Sequence, residues 1–205
     1  MAIVLTFVEM YRKAWPPWGD QQKPREDKMG SINRCLLALA TLVLLVPCGA
    51  ASAQSPSTSV ETEYLMTLEG ICEPGQPMGQ RLVVNCTGGS VHGPKINGTV
   101  IPPTGDWLVP LGEGHLRLDV RGTIKTDDGE LILFEYYGVI SFTKEAFDRA
   151  LKGEVVTAKE GYFITAPIFT TASKKYAWLT EIQAVGKMTS VQVGKYVKYD
   201  IFAVR

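Results

Sequence analysis

Residues 115–125 (HLRLDVRGTIK) alternate polar and apolar side chains. Such a period of two is typical of a β-strand that buries one face. The polar positions are His115, Arg117, Asp119, Arg121, Thr123 and Lys125, and the apolar positions are Leu116, Leu118, Val120 and Ile124. The chain is therefore expected to cover a core with at least one long amphipathic strand.

A β-hairpin is predicted from the residues that follow. Residues 126–130 (TDDGE) form a turn, and residues 131–142 (LILFEYYGVISF) return as a longer aromatic strand. A three-residue loop with Gly129 left-handed places Arg121 opposite Glu135 and Asp119 opposite Tyr137. A two-residue loop slips the register and places Arg121 opposite Tyr136. We favour the three-residue loop because it pairs opposite charges.

The remaining elements predict the fold class. Thr143 is a suitable cap for one helix at residues 144–152, which Gly153 ends. Eight to ten strands with a single short helix indicate an antiparallel barrel or sandwich, and closure into a barrel removes exposed strand edges. We therefore predict an all-β protein, an antiparallel β-barrel. Its further strands are expected at residues 63–68, 80–87, 162–171, 178–187 and 196–204.

Glycine and proline punctuate residues 87–109 every few positions. A phosphate-binding loop needs a helix directly behind its glycines, and no helical pattern follows here. We interpret the glycines as tight turns and close backbone approaches between short strands. Asp106 and Trp107 enter the next strand and either form a turn with a packed indole or line the mouth of the barrel.

The N-terminal part reads as a targeting segment. Residues 29–53 combine a basic residue, a short apolar core and a small-x-small ending at Ala51 and Ala53, which are the three regions of a secretory signal peptide. The apolar run is too short for a spanning helix, so we expect no stable membrane insertion after cleavage. Residues 1–28 are interpreted as an upstream extension with translation starting at Met29, residues 54–62 as a flexible N-terminus, and residues 63–205 as one barrel domain.

Export makes a disulfide the simplest interpretation of Cys72 and Cys86, the two cysteines left after cleavage. Two separate buried thiols are the alternative. Metal sites of the usual kind need more Cys or His than these residues and two histidines supply, so no metal is predicted. We expect an exported protein, periplasmic or secreted.

Charge excludes some partners. The chain has 21 basic and 21 acidic residues, and removing residues 1–53 takes away six and four of them. A nearly neutral protein of this kind is not expected to bind nucleic acid. Hydrolase chemistry is also not expected, because the Gly-x-Ser-x-Gly and His-Glu-x-x-His motifs are absent from the sequence.

An ordered set of short motifs resembles the domain of unknown function 3237 family, also called uncharacterised protein family 0311. The resemblance runs from about Tyr64 to the C-terminus and implies a compact antiparallel β-barrel with no established general activity. Thr180 departs from the family pattern, in which Asn follows the Trp-Leu pair. The motifs are Thr87-Gly88-Gly89, Gly93-Pro94, Gly98, Gly105-Asp106-Trp107, Asp119-x-Arg121, Asp128-Gly129, Gly138 and Tyr176-Ala177-Trp178-Leu179.

The favoured hairpin register brings Asp119, Arg121, Glu135 and Tyr137 together on one face. Facing the lumen, this patch would form a site; facing water, it would be a surface ion pair worth under about 1 kcal/mol. His115 lies on the same face but a lone histidine is a weak candidate.

Two classes of function follow. In the first, the barrel binds a small apolar or aromatic molecule, with Asp106, Trp107, Tyr137 and Trp178 lining the site and Arg121 gripping an oxygen. In the second, it is a cofactor-free isomerase, cyclase or lyase with Glu135 or Asp119 as general base. An enzyme requires a buried carboxylate with a raised pKa in a closed pocket, whereas a carrier does not. A structural module or homo-oligomer would have a filled lumen.

Overall fold

The computed structural model describes residues 59–112 and 114–205. In this part of the chain there are ten β-strands, one α-helix and two 3-10 helices. The strands are β1 (Thr62–Cys72), β2 (Gln76–Met78), β3 (Arg81–His92), β4 (Gly98–Gly112), β5 (His115–Thr126), β6 (Leu131–Phe142), β7 (Val155–Thr157), β8 (Gly161–Thr170), β9 (Ala184–Gln192) and β10 (Tyr196–Val204). The helices are α1 (Lys144–Leu151) and the 3-10 helices Ala158–Glu160 and Ala177–Glu181.

Eight of the described strands close into an antiparallel barrel. Their order is β1-β10-β9-β8-β6-β5-β4-β3, and β3 pairs again with β1 to complete the circle. The two short strands lie outside this ring, β2 on β3 and β7 on β9. The prediction of an all-β antiparallel barrel with one short helix is confirmed. Closure leaves every long strand with two neighbours and removes the unpaired edges.

The β5–β6 hairpin has the register that the three-residue loop predicts. Arg121 lies opposite Glu135, and Asp119 lies opposite Tyr137. Gly129 has a φ of 90°, and the Thr126 N–H donates to the Glu130 carbonyl to close the loop. Only a residue without a Cβ adopts this backbone cheaply, so Gly129 sets the loop length and the loop sets the register.

The expectation of short strands separated by tight turns in residues 87–109 is wrong. β3 continues through the paired glycines to His92, and β4 runs for 15 residues through Pro102 and Pro103. The close-approach part of the interpretation is confirmed. A Cβ on Gly89 would lie 1.9 Å from the Glu69 carbonyl oxygen, and one on Gly98 would lie 2.3 Å from that of Lys125.

The strand predicted at residues 178–187 is wrong in its first half. Ala177–Glu181 is a 3-10 helix, and β9 begins only at Ala184. Leu179 and Tyr176 are buried, three positions apart, and this is the spacing of one face of a 3-10 helix. The Thr180 hydroxyl donates to the Ala177 carbonyl at 2.7 Å, so the residue that departs from the family pattern stabilises this turn.

The disulfide between Cys72 and Cys86 is confirmed, with Cα atoms 3.9 Å apart. It joins the end of β1 to β3, the two strands that close the barrel. The disulfide therefore links covalently the two strands whose pairing closes the barrel.

The packed core fills one half of the barrel. Its fully buried side chains come from β1, β3, β5, β6 and the segments between strands: Leu65, Met66, Val91, Ile96, Ile124, Ile132 and Leu179. Both chain ends of the barrel lie here, because Thr62 pairs with Val204 and the Arg205 N–H donates to the Glu61 carbonyl.

The upstream extension (1–28) and the signal peptide (29–53) lie outside the described residues, as does most of the 54–62 segment. The first strand begins at Thr62, one residue before the predicted start of the barrel domain. In the described part of the chain, no helix has the length and apolarity needed to cross a membrane.

Candidate functional site

The charged patch predicted from the hairpin lies on the outer wall of the barrel. Arg121 contacts both carboxylates, at 3.2 Å to Asp119 and 3.2 Å to Glu135. The side chain of Arg121 is 48% exposed, and Tyr137 is 63% exposed. Of the two alternatives for this patch, the surface ion pair is the one observed, because strand alternation turns Leu118, Val120, Phe134 and Tyr136 inward instead.

Trp107 belongs to the same outer surface. Its ring lies 5.9 Å from the Arg121 guanidinium carbon, within the range of a cation–π contact. Trp178 lies in the second 3-10 helix, where the Lys95 ammonium is 5.6 Å from its ring. Neither indole lines the lumen, and a lumenal role for Glu135 or Asp119 as general base does not fit their placement.

The other half of the barrel contains a cavity of about 160 Å³. Its walls are apolar side chains from seven strands and from α1, among them Leu68, Val84, Leu108, Leu118, Val120, Ile140, Val191, Val197 and Ala150. Phe134, Tyr136 and Tyr199 form the floor, and beyond them the packed core begins. The cavity reaches the barrel end formed by Glu73, Gly75 and the β9–β10 hairpin at Gly194. A void of this size holds at least a six-membered carbon ring.

Asp106 is the predicted site residue that lines this cavity. It lies opposite Val84 on β3 and Val120 on β5, and both of these also line the cavity. Neighbouring residues on a strand point to opposite sides, so Asp106 faces inward and Trp107 outward. The alternative in which the two line the mouth of the barrel together therefore does not fit, because they point to opposite sides of the wall.

A local break in the β4–β5 pairing holds the Asp106 carboxyl in place. The paired residues Asp106–Val120 and Val109–Arg117 flank two unpaired steps, and at the first of them Trp107 and Asp119 would face each other. The Asp119 N–H donates to Asp106 Oδ1 at 3.0 Å, and the Trp107 carbonyl accepts from Arg81 Nη1 at 2.9 Å. Side chains thus replace the missing backbone bonds. From the described residues, Asp106 Oδ2 accepts no hydrogen bond.

Burial dominates the electrostatics of Asp106. Desolvation raises the pKa of its carboxyl from 3.8 to about 7, the Asp119 N–H lowers it, and the charge of Asp119 raises it further. Charged carboxylates are costly in apolar surroundings, so this group takes up and releases protons near neutral pH.

Two tyrosines share the cavity with Asp106, and sequence analysis did not single them out. Burial is the main cause that raises the pKa of the Tyr136 and Tyr199 hydroxyls, and the Asp106 charge adds to it. Both rings line the cavity, with centroids 6.0 Å apart. Their hydroxyls stay protonated and are available as hydrogen-bond donors. The one sequence signal for Tyr136 was its position in phase with the apolar residues of β6.

Metal binding has no obvious location in the described residues, where no three His, Cys, Asp or Glu side chains are grouped closely enough to hold an ion. His115 Nδ1 lies 3.0 Å from the Ser141 hydroxyl on the outer surface. The chemically distinctive group of the cavity is therefore the carboxyl of Asp106 with the two phenols.

Comparison with solved structures finds the same barrel. The conserved protein of unknown function RPA1785 from Rhodopseudomonas palustris superimposes with a TM-score of 0.68 at 27% identity, covering 73% of this chain and 100% of that one. A β-barrel-like protein from Acinetobacter baumannii AYE gives a TM-score of 0.61 at 26% identity, covering 74% and 100%.

Sequence comparison finds relatives named only by an uncharacterised family and a relative named as an enzyme. The UPF0311 protein RPA1785 is 29% identical over 133 residues, which are 62% of this chain and 87% of the relative. The hydroalkoxylation enzyme phnH of Penicillium herquei is 30% identical over 114 residues, which are 55% of this chain and 60% of that enzyme. The family model described as "Protein of unknown function (DUF3237)" matches residues 60–204, and the chain belongs to this family.

Proposed function

We propose that the barrel binds a small apolar or aromatic molecule in its cavity and that Asp106 transfers protons within that molecule. The reaction class is isomerisation, cyclisation or elimination without net oxidation. The observation that carries the proposal is an ionisable carboxyl with a pKa of about 7 that faces an apolar cavity. Such a group is costly to fold and unnecessary for a carrier, whereas acid–base catalysis requires it.

A structural role alone does not account for the carboxyl. The bond from the Asp119 N–H needs one acceptor oxygen, which an asparagine would supply at no cost in buried charge. The second oxygen of Asp106 accepts no hydrogen bond from the described residues, and Asp106 lines the space in which a ligand would lie.

The likeness to a hydroalkoxylation enzyme supports one reaction in this class. Hydroalkoxylation adds an alcohol O–H across a C=C bond. Protonated Asp106 would donate its proton to one alkene carbon, the hydroxyl oxygen would form a C–O bond to the other, and the hydroxyl proton would return to Asp106. Atoms and charge balance with no other reactant, and the Tyr136 and Tyr199 hydroxyls would hydrogen-bond the reacting oxygen.

A ring-closing probe tests this proposal. 2-Prenylphenol carries a hydroxyl and an alkene in one small molecule, and in D2O each cyclic ether formed gains one deuterium on carbon. We expect the wild-type protein and the outer-wall variant Arg121→Ala to form the ether, and Asp106→Asn to lose at least about tenfold in rate. Equal rates in Asp106→Asn and the wild type would contradict the role of Asp106.

We also propose that the protein is exported to the periplasm or secreted. The Cys72–Cys86 disulfide supports this, because such bonds persist in oxidising compartments and are rare in the cytosol. Fractionation of the native host tests it: the mature protein should be found outside the cytoplasm with its N-terminus near Gln54.

A further inference from the structure

The charge distribution around the cavity constrains which molecules it accepts. The described residues that line it include two acids, Asp106 and Glu73, and no Lys, Arg or His. Arg81 and Arg121 lie on the outer wall and are paired with Asp119, and Lys195 does not line the cavity. The lumen therefore presents negative charge with no positive partner.

An anionic ligand would meet this charge inside the cavity. It would enter past Glu73 and Lys195, which are both exposed, and would then lie beside the Asp106 carboxyl. Burying a carboxylate or phosphate in an apolar cavity without a cation is strongly unfavourable, and a second negative charge nearby adds repulsion. The earlier expectation that Arg121 grips an acid is excluded by the position of Arg121.

An uncharged molecule with one oxygen meets a suitable set of partners. The floor offers the flat surfaces of Phe134 and Tyr136, and the wall is aliphatic. Asp106 Oδ2 has no hydrogen bond from the described residues, so it is available to accept from a ligand hydroxyl or, when the carboxyl is protonated, to donate to a ligand carbonyl. Burying apolar ligand surface supplies the affinity, and the one polar contact fixes the orientation.

We infer that the cavity selects uncharged, oxygen-bearing ring compounds of the phenol, enol or ketone type and rejects carboxylates and phosphates, with Asp106 as the residue that sets this selectivity. The inference rests on the proposed function in that a small molecule occupies the lumen. It does not require that the protein catalyses a reaction.

A matched pair of ligands tests the selectivity. 4-Ethylphenol and 4-ethylbenzoate have the same ring and alkyl group, and near neutral pH the first is uncharged and the second is an anion. Calorimetric titrations with the wild type, Asp106→Asn and Arg121→Ala at about pH 8.5 give the ratio of the two dissociation constants. We expect 4-ethylphenol to bind the wild type and Arg121→Ala at least about tenfold more tightly than 4-ethylbenzoate. In Asp106→Asn the ratio should fall several-fold, because the benzoate no longer meets the Asp106 charge, while the cost of desolvating its carboxylate remains.

The wild type itself gives a second measurement that does not depend on any variant folding. At about pH 5.5 the Asp106 carboxyl is protonated while the benzoate is still an anion. The ratio of the two dissociation constants should therefore decrease, as it does in Asp106→Asn. Equal affinities for the two ligands at about pH 8.5, or a ratio unchanged by both pH and Asp106→Asn, would overturn the inference.

The outcomes also separate this inference from the proposed function. Selective binding of 4-ethylphenol with no turnover of 2-prenylphenol would support the selectivity and contradict the catalysis. Failure of both ring compounds to bind would contradict occupancy of the lumen and with it both proposals.

Discussion

The backbone N–H of Asp119 donates to the carboxyl of Asp106 at 3.0 Å, through the wall of the barrel. The side chain of Asp119 lies outside with the arginines, and that of Asp106 lies inside in the cavity. One residue therefore takes part in the outer ion-pair network and also holds the inner acid. The variant Asp106→Asn keeps the acceptor for this bond and removes only the ionisation, which makes it the central variant of the tests.

Stability should depend on pH through Asp106. The pKa of this carboxyl is about 7 in the folded protein and near 3.8 in the unfolded chain, so its contribution to stability is present below about pH 3.8 and is lost as pH rises to 7. We predict that, between about pH 4 and about pH 8, the free energy of unfolding of the wild type falls by about 4 kcal/mol relative to Asp106→Asn. Urea unfolding of both proteins across this range measures it, and parallel pH curves would contradict it.

The disulfide should contribute substantially to stability. Cys72 and Cys86 are 14 positions apart, and closing a loop of this size stabilises by about 3 kcal/mol in the chain-entropy model. The double variant Cys72→Ala/Cys86→Ala should therefore unfold at lower urea concentration than the oxidised wild type. Reductant should bring the wild type to the variant's midpoint and leave the variant unchanged; a wild-type midpoint insensitive to reductant would contradict the prediction.

Two adjacent glycines should respond differently to alanine. A Cβ on Gly89, whose φ is 151°, would lie 1.9 Å from the Glu69 carbonyl oxygen, whereas one on Gly88 would have its nearest neighbour at 3.9 Å. We predict that Gly89→Ala lowers the free energy of unfolding by about 2 to 4 kcal/mol and Gly88→Ala by less than about 1. Thermal and urea unfolding of the two variants provide the measurement, and equal losses would show that the β1–β3 contact is looser than described.

Loss of the outer ion pairs should have little effect on stability or on ligand binding. Arg121 lies 3.2 Å from Asp119 and from Glu135, and all of these side chains retain contact with water. Exposed pairs contribute under about 1 kcal/mol each, so Arg121→Ala should change stability only slightly and leave 4-ethylphenol binding intact. Loss of binding in this variant, with an unchanged fold by circular dichroism, would place Arg121 in the site after all.

Sequence patterns predicted the pairing within the barrel better than they predicted its inner side. The loop at Asp127–Gly129 and the opposite charges on Arg121 and Glu135 were enough to specify the hairpin register, because a turn's length sets which residues face each other. Alternation separates two faces of a strand but does not say which one is enclosed. Both placements of the charged patch were therefore left open, and burial of the apolar residues puts the patch outside.

The phase of Asp106 within β4 is a sequence signal that could have identified the inner face of this strand. It is in phase with Leu108 and out of phase with Trp107, so the two residues of the Asp-Trp pair were never able to share one side of a regular strand. The break in pairing at Trp107, and the partners that Asp119 and Arg81 supply there, depend on contacts between strands, 13 and 26 positions apart in the chain. The sequence pattern of a single strand does not predict such contacts.

The positions of the two ends of the barrel determine how the molecule presents its opening. β1 starts and β10 finishes at the packed end, with Glu61 and Arg205 joined by a backbone hydrogen bond, whereas the cavity reaches the opposite end beside Gly194. A tag, fusion partner or surface attached through Arg205 therefore joins the barrel at its packed end, and the entrance at the opposite end faces away from the attachment and stays accessible to small molecules in solution.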